Sequence, residues 1–161
     1  MDDLVLYQLL SFIKKFSNYE LKLREYFYQK TAGIYPEFII VINKFIFFFV
    51  RKGNYFHSKA YLSSIRRDIT DRKILILRVE EILINLLFSF FPDLNIDDIK
   101  IELDNNSGRR EISVYFLFFE ERGIAIGRNG EYISAVNEIF NNYVVFENKG
   151  TPLEVRCKYK E

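Results

Sequence analysis

The run FIIVINKFIFFFV, residues 38–50, restricts the folds open to this chain more than any other stretch. Apart from Asn43 and Lys44 it is apolar, and its β-branched and aromatic residues favour strands over helices. It is too short to cross a bilayer, which takes about 20 apolar residues. The polar pair in its middle predicts two strands that turn at Asn43 and Lys44. No charged segment with a cleavage site opens the sequence, so no secretory leader is expected.

Helices are predicted around this pair. Leu6, Leu9, Leu10, Ile13 and Phe16 recur at helical spacing behind Asp2 and Asp3, which predicts one N-terminal helix. NYELKLREYFYQK, residues 18–30, predicts a second, broken near Gly33 and Pro36. Beyond Gly53, Ala60, Ile65 and Ile69 share a helical face, and RKILILR at residues 72–78 returns as a strand.

The second half repeats this order. A helix over residues 79–91 stops at Pro92, and DIKIEL (98–103) and EISVYFLFF (111–119) read as strands joined by the polar turn DNNSGRR. Ile133, Val136 and Phe140 mark a helix after Gly130, and LEVRCKY (153–159) alternates as a last strand. The expected class is α/β (α+β), with two tandem α-β-β-α-β modules, each a three-stranded sheet packed on helices, and an extra N-terminal helical segment. The boundary is expected near Val79, dividing residues 1–78 from 79–161.

Charge follows the same division. Residues 1–78 hold 14 Lys and Arg against 7 Asp and Glu, a net of +7; residues 79–161 hold 9 against 15, a net of −6. Such asymmetry marks either a basic face for polyanions or two halves that attract each other. With one cysteine, Cys157, and one histidine, His57, neither an internal disulfide nor a zinc set is expected. This fits a reducing compartment: the cytoplasm, or an organelle interior if an organelle encodes the chain. His57 adjoins Ser58, yet no nucleophile elbow or orienting carboxylate marks a triad, so no catalysis and no cofactor are expected. Carboxylate pairs such as Glu120 and Glu121 read as solvated charge. The 17 Phe and 11 Tyr beside four Ala and three Pro fit AT-rich codon usage, so aromatics alone do not argue for base stacking. Phe116 and Phe118 remain open between core and base platform.

The segment ERGIAIGRNGEYISAVNEIF, residues 121–140, puts Gly127 and Gly130 three apart between an apolar stretch and a predicted helix. Without a Cβ at either end another backbone can come close, and the free amides of a helix start present partial positive charge to phosphate. Arg128 adds a cation and Asn129 a hydrogen-bonding tip. These are the elements needed to grip the backbone of a single-stranded nucleic acid.

In this context the loop IGRNGE resembles that of a type II KH domain. EEILINLL, DIKIEL and RGIAIGRNGEYISAVNEIF together resemble the second KH module of NusA-family transcription factors, including the short archaeal-type relatives. FIIVINKFIFFFVRKG and RKILILRVEEILINLL resemble strands of a first module and the junction to the second. There the G-x-x-G is lost: Ser58, Lys59, Ala60 and Tyr61 stand in its place. The resemblance implies RNA contact through Gly127, Arg128, Asn129 and Gly130, flanked by Arg122, Ile126, Tyr132 and Ile133. An auxiliary basic patch of Arg51, Lys52, Lys59, Arg66, Arg67 and Lys73 supplies attraction. The implied partner is single-stranded RNA, a nascent transcript or rRNA, within an RNA polymerase or ribosomal complex, with no membrane and no small-molecule substrate. The implied setting is transcription elongation and termination in a ribonucleoprotein. The alternatives are a small-subunit ribosomal or ribosome-associated KH protein, and a KH fold repurposed for protein contacts.

Overall fold

The computed structural model describes residues 2–148 and 152–160. The chain divides into two units, Lys14–Glu80 and a second that joins Met1–Ile13 to Glu81–Glu161. The fold is mixed α+β, as the sequence predicts.

The start of the chain departs from expectation. In place of one helix through Phe16 there is a short helix α1 (Asp2–Leu6) and then a strand β1 (Leu10–Phe12). Leu10 and Phe12 flank Ser11, so they fit a two-residue period as well as a helical one, and a distant strand decides between the two. Residues 1–13 thus belong to the second unit rather than forming an added helical piece of the first.

The Lys14–Glu80 unit opens with helix α2 (Asn18–Lys30), started by a capping box. The Ser17 hydroxyl accepts from the Glu20 N–H at 3.1 Å, and the Glu20 carboxylate accepts from the Ser17 N–H at 2.8 Å. Strands β2 (Phe38–Ile42) and β3 (Phe45–Val50) form the predicted antiparallel pair, turning through Asn43 at φ 49°. Two short helices follow, α3 (Tyr55–Lys59) and α4 (Leu62–Asp68), where one was expected. Strand β4 (Lys73–Arg78) then lies parallel to β3, giving the order β2-β3-β4. All six residues of β3 are buried, which explains why that stretch carries no polar alternation. Leu23 and Phe27 of α2 and Ile65 of α4 pack with Ile39, Ile46, Phe48 and Ile74 of the sheet, and the Phe27 and Phe48 rings stack at 4.7 Å.

The second unit continues with α5 (Leu83–Ser89), β5 (Ile96–Leu103) and β6 (Arg110–Phe116). The strand predicted to run to Phe119 ends at Phe116. The apolar stretch before the glycines is a helix, α6 (Phe119–Ile126), which buries Ala125 and carries Glu120 and Glu121 in its first turn, where acidic groups suit the helix dipole. Helix α7 (Glu131–Asn142), strand β7 (Val144–Phe146) and strand β8 (Glu154–Tyr159) complete it. The sheet order β5-β6-β8 is antiparallel then parallel, as in the first unit. Setting aside α1 and the strands β1 and β7, each unit therefore runs α-β-β-α-α-β, one helix more than predicted. Strand β1 pairs antiparallel with β7, Leu10 opposite Phe146 and Phe12 opposite Val144. Phe90, Phe91, Phe116, Tyr132 and Phe140 fill the core, with ring centroids 5.3 Å apart for Phe90–Phe140 and for Phe91–Phe116. Among the described residues no helix is long and apolar enough to cross a membrane.

Candidate nucleic-acid interface

The predicted loop joins α6 to α7. Gly127 has φ 81° and ψ 169°, a region essentially confined to glycine. Asn129 (φ 56°, ψ 25°) and Gly130 (φ 71°, ψ 14°) follow in the left-handed region, so three of four successive residues have positive φ. Asn is the non-glycine residue that tolerates this best. The turn leaves Arg128 and Asn129 exposed at its tip. Gly130 is the N-cap of α7 and, having no side chain, makes no side-chain capping hydrogen bond to that helix.

The two glycines serve different needs. A Cβ at Gly127 would meet the backbone of Tyr132, whereas one at Gly130 would meet nothing within 4 Å. Gly123, one helical turn before Gly127, is exposed inside α6 with open space around it. No neighbour within the chain requires a glycine at that position.

The other predicted contact residues divide by side. Ile126 and Ile133 are half-buried on either flank of the loop, and Arg122 is half-buried one turn before Ile126. Tyr132 is a correction: it is buried, and its hydroxyl donates to the Phe90 carbonyl, so it supports the loop from beneath instead of facing a ligand. Phe116 is buried, while Phe118 is 51% exposed. Phe118 lies between Leu117 and Phe119, also exposed, and Ile124 within α6 is exposed too. Glu121 is not merely solvated, because its carboxylate accepts from the Asn95 backbone N–H at 3.2 Å and from Asn95 Nδ2 at 3.1 Å. Asn137 fastens α7 to β8: Val155 donates to Asn137 Oδ1 at 2.8 Å, and Asn137 Nδ2 donates to the Val155 carbonyl at 3.0 Å.

In the first unit, Ser58 to Tyr61 occupy the topologically equivalent α3–α4 turn. Ala60 (φ −60°) and Tyr61 (φ −96°) keep right-handed backbone, so the turn has none of the left-handed geometry of its counterpart. The predicted basic patch splits in two. Strands β3 and β4 pair Val50 with Arg78 at one end and Phe45 with Lys73 at the other, about 17 Å apart at 3.3 Å per residue. Arg51, Lys52 and Lys59 lie toward the first end and Lys73 at the second, where Arg72 donates to the Asn43 carbonyl at 2.6 Å. Arg66 donates to the Ile74 carbonyl at 3.0 Å, and Arg67 is exposed on α4. Arg78, which the sequence reading left out of the patch, joins the first group by binding Glu80 at 3.1 Å.

No family model matches this sequence, and no curated protein matches it. Solved structures do, among them the crystal structure of APE1850, with 17% identity and a TM-score of 0.58, covering 90% of this chain and 100% of that one. At that identity the likeness is one of fold alone.

Proposed function

We propose that this chain is a non-catalytic single-stranded RNA-binding protein of the NusA-like KH kind, acting in transcription elongation or termination. The observation that carries the reading is the α6–α7 loop. It offers Arg128, Asn129 and a helix start entered through a glycine, within a unit whose three-stranded sheet is antiparallel then parallel. The backbone of a nascent transcript or of rRNA lies against this loop, with RNA polymerase or a ribosomal subunit as the surrounding assembly. The second unit carries 9 Lys and Arg against 16 Asp and Glu, and Lys14–Glu80 carries 14 against 6. Electrostatic attraction therefore falls to the first unit and the backbone grip to the second.

The test is anisotropy of a fluorescent single-stranded RNA titrated with wild type and with Gly130→Asp, whose added side chain has room in the fold. Weaker binding by a folded Gly130→Asp is the expected result, and equal binding by the two proteins refutes the loop's role. A protein partner is the second reading, favoured by the exposed Leu117, Phe118, Phe119 and Ile124 beside α6. It gains if wild type binds no RNA and these side chains become protected in a complex.

A further inference from the structure

Phe56 is 82% exposed, an unusual place for a phenylalanine on a helix that buries its neighbours Tyr55 and Ser58. Its ring meets the Tyr55 ring edge-on at 5.5 Å. The same Tyr55 ring has Lys59 Nζ at 5.7 Å and the Arg78 guanidinium at 5.4 Å. Lys52 precedes Phe56 by one turn; its ammonium lies 3.1 Å from Glu80, and its side chain stays 67% exposed. Arg51 meets Glu37 at 2.6 Å through Nε and remains 76% exposed. Four cations therefore gather at the corner where Phe56 packs on Tyr55: Lys59 and Arg78 at the Tyr55 ring, Lys52 beside Arg78 on Glu80, and Arg51 next to Lys52 in sequence on Glu37.

We infer that this corner of the first unit is a separate single-stranded nucleic-acid contact, in which Phe56 stacks on a base while Arg51, Lys52 and Lys59 engage the flanking phosphates. The mode suits a unit whose α3–α4 turn has no left-handed backbone. Stacking on an aromatic ring within a field of cations tolerates any sequence and needs no close backbone approach. The occupant is chosen by charge: the unit's 14 Lys and Arg against 6 Asp and Glu favour a polyanion, and the ring favours one with unpaired bases. The contact does not depend on the second unit's loop.

The chain has no tryptophan, so Phe56→Trp introduces a single indole at the site. Its emission is followed while a short oligouridylate, and separately an RNA duplex of equal length, is added, alongside anisotropy of labelled RNA. The expected result is saturable quenching by the single strand and none by the duplex. Phe56→Ala should weaken single-strand binding about 5- to 100-fold, and Phe56→Tyr should preserve it. The same loss should occur in wild type and in Gly130→Asp, because the two sites are independent. RNA binding without an indole response, or Phe56→Ala binding as tightly as wild type, overturns the proposal while leaving the loop's role intact. Quenching with unaltered binding by Gly130→Asp keeps the proposal and removes the loop. No binding by any variant removes both.

Discussion

A Cβ built on Gly127 falls 2.8 Å from the Cβ of Tyr132 and 2.9 Å from its backbone nitrogen. Tyr132 cannot yield, because it is buried and its hydroxyl is bonded to the Phe90 carbonyl. Gly127→Ala should therefore lose about 2 kcal/mol or more, from overpacking and from φ 81° together. At Gly130 only the positive φ opposes a side chain, and Gly130→Asn should stay within about 1 kcal/mol of wild type. Urea unfolding of both variants checks this, and equal losses at the two positions would contradict it.

Arg128 stands exposed at the loop tip between the two glycines. If it meets a phosphate, Arg128→Ala weakens binding to RNAs of every sequence alike. The slope of log affinity against log salt should then fall by about 0.7, the value for one phosphate contact on a single strand. Titration at several salt concentrations reads both numbers. A change confined to one sequence would instead make Arg128 a base reader.

Gly123 gives a prediction of opposite signs. A Cβ there has open space, and an exposed helix-interior glycine costs about 1 kcal/mol relative to alanine. Gly123→Ala should raise the melting temperature. If the RNA strand runs along the α6 face that Gly123 shares with the loop, the same variant binds RNA more weakly. Thermal melts and anisotropy on one preparation separate the effects, and a stabilised variant with wild-type affinity would place the strand elsewhere.

The polar face of the second sheet sets a pH limit. The Tyr115 hydroxyl donates to the Glu102 carboxylate at 2.6 Å and Lys158 lies 3.3 Å away, holding the carboxyl at about 2 against an ordinary 4.5. A group that ionises more readily when folded adds stability above its unfolded value and loses it as pH falls toward its folded value. Wild type should thus lose stability between about pH 4.5 and pH 2 through this residue. Glu102→Gln, less stable at neutral pH, should show a shallower decline, so that the two melting curves converge in acid. Parallel declines would show that Glu102 does not contribute.

Cys157 faces the core from β8, and burial pushes its thiol from 9.0 up to about 12. At pH 8 the native protein should react with iodoacetamide on the order of 1000-fold more slowly than an unperturbed thiol. Labelling followed by mass should become rapid only in denaturant. Fast labelling of the native state would indicate frequent opening of the β8 edge.

Much of this architecture can be read from local signals. The Ser17 to Glu20 capping box begins α2 where the pattern predicts, and Asn43 turns an apolar run into a strand pair because its short side chain accepts positive φ. Gly127 and Gly130 mark the loop by spacing alone. The inward position of Tyr132 was also legible, since it shares a face with Ala135, Val136 and Ile139. The division between β6 and α6 was not. Phe116, Phe118 and Phe119 belong to one apolar stretch, residues 112–119, that shows no polar break where the strand ends, and packing decides that point. The exposure of Phe56 was hidden by the abundance of aromatics, because composition cannot distinguish a core ring from a displayed one. Strand β1 was illegible for a further reason: its partner β7 lies about 130 residues away.

That separation matters while the protein is being made. At about 5 to 20 residues per second, β1 leaves the ribosome on the order of 10 s before Val144 is synthesised. During that interval all of Lys14–Glu80 emerges, with every strand of its own sheet present. The first unit can fold early, while β1 keeps an open edge that a chaperone or a neighbouring nascent chain can occupy. The last unit to close is therefore the one that contains β1, a strand translated before any strand of the unit that folds early.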